Sequence, residues 1–154
     1  MIRGLGFLTV CLFAALALLH LYWAAGGGWG RGVAVPTGLP TGGAGGARLF
    51  NPTRAGTLAV AAGLLLAALV VLGRLGVRAA PVPGWVFVWG CWLLALTFLA
   101  RAVGEFRYVG LFKRVRGTDF ANWDTWLFTP LCLLIAASVA IINYFYVNGR
   151  GAAD

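Results

Sequence analysis

Four continuous apolar runs constrain this chain more than any other feature. They cover about residues 5–25, 53–72, 85–105 and 126–147 of a 154-residue sequence. Roughly 20 apolar residues in a row match the length of a helix that crosses a bilayer core about 30 Å thick. Only helices and closed barrels satisfy every backbone polar group in lipid, and these runs are continuous, not alternating, so helices are expected. Composition agrees: 61% hydrophobic, 10% charged, mean hydropathy +0.89, against about a quarter charged in soluble domains. The expected fold is an all-α integral membrane protein forming a single transmembrane domain over 1–154. Its four transmembrane helices form a compact bundle, with a Gly/Pro-rich first loop and a basic, interfacial third loop.

A net charge of +8 would suggest nucleic acid in a soluble protein. In a membrane protein, basic loops set topology or meet anionic headgroups, and no nucleic-acid-binding motif is present. Membrane lipids are therefore the expected partners, with a second copy or another membrane protein as a further one. Cys11, Cys91 and Cys132 all fall inside the spans and form no CxxC pair. They read as small apolar core residues, and neither a metal site nor a cofactor site is expected.

The first span competes with a signal peptide, but its apolar stretch is too long for a typical leader and ends in His20, Tyr22 and Trp23. A retained helix with its aromatic rings at the interface is preferred. The loop 26–46 is rich in glycine, with Pro36 and Pro40, and reads as a linker or a mobile lid. It carries no phosphate-binding pattern. Asn51-Pro52 is expected to open the second helix as N-cap and first helical residue. Ala55, Gly56, Ala59 and Gly63 would allow a neighbouring helix close, although the span holds no strict GxxxG. Trp85, Trp89 and Trp92 share one face of the third helix, as a lipid-facing or packing stripe or, less readily, a stacking wall for a planar ligand. In the last span either Asp124 caps a helix kinked at Pro130, or Thr129 caps a helix with Pro130 at its first position. Asn143, deep in that helix, is expected to hydrogen-bond a neighbour.

The segment 101–124 holds three of the four acids and five of the twelve basic residues. With four spans, parity places the end of the first helix, the start of the second, the end of the third and the start of the fourth on one membrane face. His20, Tyr22, Trp23, Asn51, Arg101, Glu105, Arg107, Asp119 and Asp124 therefore converge there. Eight of the twelve Lys and Arg lie on that face, which the positive-inside rule makes cytoplasmic.

Ionisable groups at membrane depth tend to mark function. Glu105 stands out because it follows an apolar helix and has Arg101 and Arg107 beside it. If the helix continues, Arg101 and Glu105 sit one turn apart and can pair. Glu105 is thus either a general acid or base or a structural counter-charge, and His20 either a proton shuttle or an interfacial hydrogen bonder. Asp119 and Asp124 sit next to helix starts, where capping accounts for them. Lys113, Arg114 and Arg116, with Leu111, Phe112 and Val115 between, suit a segment resting on anionic lipid.

The pattern His20-x-Tyr22-Trp23 with Trp29-Gly30, then Arg101-x-x-Gly104-Glu105-Phe106-Arg107-x-x-Gly110-x-x-Lys113, then Asp124-Thr125 before Pro130-Leu131, resembles the DUF3995 family. Those are small four-helix bacterial membrane proteins of unknown function. The resemblance spans nearly the whole chain and implies the membrane fold and these key residues, with no activity or cofactor attached.

Three functions follow as expectations for a protein of the cell membrane. The leading one is a structural or accessory membrane protein whose polar cluster fixes helix packing or binds headgroups. The alternative is a small enzyme or binding protein for a lipid-like or anionic amphiphile. In that reading Glu105 and His20 would transfer protons, and Trp23, Arg101, Arg107, Asp119 and Asp124 would contact the ligand or headgroup. A transporter ranks last, because the first three spans offer almost no polar residue at mid-depth.

Overall fold

The computed structural model describes residues 1–38, 49–77 and 81–149. Arg48, Arg78, Arg150, Asp154 and the second half of the first loop lie outside the described residues. Four long helices form, each at an apolar run: α1 (Ile2–Ala24), then, after the short α2 (Arg31–Ala34), α3 (Arg54–Arg74) and α4 (Gly84–Val103). The last span is composite. It opens as α5 (Asp119–Trp123), widens into a π-helical turn (Asp124–Phe128) and continues as α6 (Thr129–Val147). All four are long and apolar enough to cross a membrane, and no sheet is present among the described residues.

The helices pack in a ring, α1 on α3, α3 on α4, α4 on α6 and α6 on α1. Consecutive long helices are neighbours, the arrangement of an up-down-up-down bundle. The core is slim, built on Phe13, Ala67, Ala68, Val71, Cys91, Ala95, Ile135, Val139 and Ile142. Most large apolar side chains, among them Leu8, Leu18, Leu66, Leu69, Leu93 and Leu96, face outward. Outward leucines on every long helix are what a bilayer, acting as the solvent, selects.

Several local expectations are corrected. The N-cap of α3 is Thr53, whose hydroxyl accepts the Gly56 N–H at 3.0 Å, not Asn51 two residues earlier. Either residue type can cap, and the extended backbone falls at Thr53. Ala55, Gly56, Ala59 and Gly63 face outward. The packing face of α3 is instead Thr57, Ala61, Ala68 and Val71. Close approach occurs at Gly73, where a Cβ would overlap the Phe87 ring. Trp85, Trp89 and Trp92 form an exposed stripe, the lipid-facing alternative. Cys91 is buried but Cys11 is exposed, so only part of the cysteine expectation holds.

Asn143 does bridge helices. Its carboxamide oxygen accepts the Arg74 Nε–H of α3 at 2.7 Å and its NH2 donates to the Val88 carbonyl of α4 at 3.1 Å. Arg74 also donates to the Asn143 carbonyl and lies over the Tyr146 ring. This pins three helices together at the membrane face opposite the 101–124 segment.

Candidate functional site

The site is built where α4 ends. A glycine at the C-terminal boundary is a common stop because it tolerates positive φ. Gly104 has φ 83° and Gly110 φ 88°. A Cβ on Gly104 would collide with the backbone of Val109 and Gly110, and one on Gly110 with that of Ala102, Val103 and Gly104. The two glycines thus let residues 104–110 double back tightly, and the Leu111 N–H bonds the Ala102 carbonyl at 2.8 Å. Glu105 sits in this excursion. It is exposed, and its carboxylate accepts the Tyr108 N–H at 3.1 Å.

Helix α4 ending at Val103 undoes the expected Arg101–Glu105 pairing. Arg101 turns instead to Asp124, with Nη2 to Oδ1 at 2.9 Å. Lys113 reaches the other oxygen, Nζ to Oδ2 at 3.0 Å. The Gly110 N–H donates to Oδ2 at 2.8 Å and the Thr129 hydroxyl at 3.2 Å. Asp124 is fully buried and Lys113 nearly so, whereas Arg101 is about a third exposed. The carboxylate is therefore surrounded by two cations and two neutral donors, as a buried charge requires.

The π turn aims Asp124. Pro130 has no N–H, and its ring conflicts with the carbonyl four residues back in an α-helix. The Thr129 N–H accordingly bonds the Asp124 carbonyl, five residues back. At 3.6 residues per turn, residues five apart would diverge by about 140°; a π turn brings them near one face. That lets the Thr129 hydroxyl and the Asp124 carboxylate meet. Asp124 is thus not a cap, correcting the capping expectation. Thr118 caps α5, accepting the Ala121 N–H at 3.1 Å, and Asp119 is an exposed first-turn acid. Lys113 is likewise withdrawn from the expected lipid-facing cluster. Arg107, Arg114 and Arg116 remain exposed, with exposed Phe106, Leu111 and Phe112 among them.

A second part of this face is the end of α1. The Trp23 indole N–H donates to the Trp29 carbonyl at 2.8 Å, and the Tyr22 hydroxyl accepts the Trp29 N–H at 3.4 Å. These bonds fold the first loop back so that α2 packs on α5. His20 donates Nδ1–H to the Leu16 carbonyl at 2.8 Å and meets the Trp23 ring edge-on. His20, Trp23 and Arg31 line a partly open cavity of about 510 Å³, bordered by Phe50 and the start of α3. Arg101 and Glu105 line an adjoining one of about 490 Å³, and Ala34 and Phe50 border both.

The structure therefore brings Arg101 and Asp124 together, leaves Glu105 and Asp119 exposed, and places His20 and Glu105 on different cavities. Arg107 lies over the Tyr108 ring. Sequence reasoning placed Lys113 in a lipid-facing cluster, weighed Thr129 only as a cap, carried Gly110 only within the family pattern, and gave Arg31 no role beyond topology. The spacing Gly110-x-x-Lys113 was a signal for those two residues; the place before Pro130 marked Thr129 only as a cap, and nothing local marks Arg31. Among the described residues, no group of three or more His, Cys, Asp or Glu side chains is placed to hold a metal ion.

Fold and site define a small multi-pass membrane protein of four helices with a buried ionic cluster near one face. Over residues 13–139 the chain matches the family described as protein of unknown function (DUF3995), and it belongs to that family. No curated protein and no solved structure matches it.

Proposed function

We propose that this is an accessory protein of the cell membrane whose ionic cluster serves as an internal lock, holding the end of α4, the 104–118 loop and the start of the last span in one arrangement. The observation that carries this reading is the closure of the cluster: both Asp124 oxygens are engaged by the protein's own donors and the carboxylate has no exposed surface. Around the lock, exposed Arg107, Arg114 and Arg116 with Phe106, Leu111 and Phe112 suit an interfacial band that rests on anionic headgroups. The excess of cations supports a cytoplasmic position for this face.

A lock has a specific signature. Breaking a buried ion pair costs about 3–5 kcal/mol, whereas replacing both partners by apolar residues of similar size is often neutral. Asp124→Leu is therefore expected to lower the melting temperature in detergent, and Lys113→Met/Asp124→Leu to recover part of the loss, since the buried ammonium is removed and Arg101 keeps its contact with solvent. A wild-type melting temperature for Asp124→Leu alone would remove the basis for the lock. The orientation is checked separately with Asn148→Cys, at the far end of α6. A membrane-impermeant thiol reagent is expected to label it in intact cells, and labelling only in inverted vesicles would reverse the topology.

A further inference from the structure

The cavity beside α1 has a use that the lock does not explain. We propose that it binds the head and adjoining chain of an anionic amphiphile, with Arg31 as the headgroup ligand. This goes beyond the lock reading and does not depend on it.

The first ground is charge. Arg31 is half-buried and lines the cavity, and its guanidinium has no hydrogen bond or ion pair among the described residues. Glu105, Asp119 and Asp124 are all absent from the lining. A half-buried guanidinium with no counter-charge beside it is a ready partner for an anion that enters the cavity. Arg is also the side chain whose planar fork suits phosphate and carboxylate best. Arg101 contrasts with it, because its guanidinium already holds Asp124.

The second ground is shape and lining. At about 510 Å³ the cavity falls in the usual small-molecule range of about 300–1,000 Å³. Its walls are mainly apolar: Val35, Phe50 and Pro52 from the loop, Val60 from α3. Val60 is about half exposed on the outer surface of α3, which gives an alkyl chain a way in from the lipid. The remaining polar groups are His20, whose Nδ1 is taken by the Leu16 carbonyl, and those around the start of α3. An apolar slot with a few polar groups and one uncompensated cation fits a chain with an anionic head. A free inorganic anion would leave the apolar walls uncovered.

The test uses the full chain in a neutral detergent, titrated with lysophosphatidylglycerol, lysophosphatidylcholine and inorganic phosphate, with occupancy read by native mass spectrometry and stability by melting. Lysophosphatidylglycerol is expected to bind one to one and raise the melting temperature, and the other two to do neither. Arg31→Gln is expected to weaken that binding about tenfold to a hundredfold, the range for losing a charged hydrogen-bond partner, with Arg31→Lys restoring part of it. Val60→Trp, on the outer surface of α3, should fill the slot and block binding while leaving Arg31 in place. Arg54→Gln, exposed and outside the cavity, should bind as wild type does. The proposal is overturned if Arg31→Gln and Val60→Trp both bind normally, if the zwitterionic probe binds equally well, or if Arg54→Gln loses as much as Arg31→Gln. Binding of inorganic phosphate with equal protection would overturn the amphiphile and leave a plain anion site. Failure of every probe, with the Asp124 variants behaving as a lock predicts, would reject this inference alone.

Discussion

Lys113 and Asp124 are buried together, with the ammonium 3.0 Å from the carboxylate and almost no solvent at either side chain. Neither would be stable there alone, because transferring one ion from water to a protein interior costs several kcal/mol after relaxation. Their contact decides which acid of this chain is structural. It is Asp124, in the last span, and not Glu105, which follows the third.

The two acids should therefore respond differently to loss of charge. Asp124→Asn leaves Arg101 and Lys113 without their counter-ion and is expected to cost about 3–5 kcal/mol. Glu105→Gln keeps an oxygen for the Tyr108 N–H and is expected to stay within about 0.5 kcal/mol, as ordinary surface changes do. Thermal unfolding of both variants in one detergent checks the contrast. Equal losses would contradict the burial difference.

The glycines of the 101–124 segment should also separate. Gly104, Gly110 and Gly117 all have positive φ, but a Cβ at Gly117 meets open space. Gly117→Ala should cost about 1–2 kcal/mol, the left-handed penalty alone. Gly104→Ala and Gly110→Ala add a backbone collision and should cost clearly more, with much lower yield of folded protein in detergent. Comparable melting points for the three variants would mean that the 104–110 excursion is not packed as described.

Pro130→Ala tests the π turn. Removing proline from a helix interior ordinarily stabilises it by about 3 kcal/mol. Here the restored N–H would favour an α-helical turn, rotating Asp124 away from Thr129 and its cations. The expectation is a lower melting temperature despite better helix propensity. A stabilised Pro130→Ala would show that Asp124 reaches its partners without the wide turn.

At the opposite face, Asn143→Leu removes the carboxamide that joins Arg74 of α3 to Val88 of α4. Hydrogen bonds between membrane helices average about 0.6 kcal/mol and reach about 1.7. A loss of about 1–2 kcal/mol is expected for the two together, well below that of Asp124→Asn. Amide exchange should quicken at the C-terminal turn of α3 and leave the Thr118–Thr129 region unchanged.

The membrane architecture was legible in the chain because hydrophobic length is additive along the sequence. A run of about 20 apolar residues implies a spanning helix whatever packs beside it, and the parity of four such runs assigns each loop to a face. The helix-linking role of Asn143 was legible for the same reason, since a lone amide in an apolar helix has few alternatives. Tertiary structure alone decided which face of each helix packs: the stripe at Ala55, Gly56, Ala59 and Gly63 looked suitable, yet Ala61, Ala68 and Val71 carry the contacts. It also decided the pairing of charges. Arg101 had a plausible partner four residues on in Glu105, and only the stop at Gly104 and the π turn before Pro130 gave it Asp124, 23 positions away. Helix length follows from composition along the chain. The choice among charge partners depends on where two backbones bend, and that is a property of three-dimensional packing.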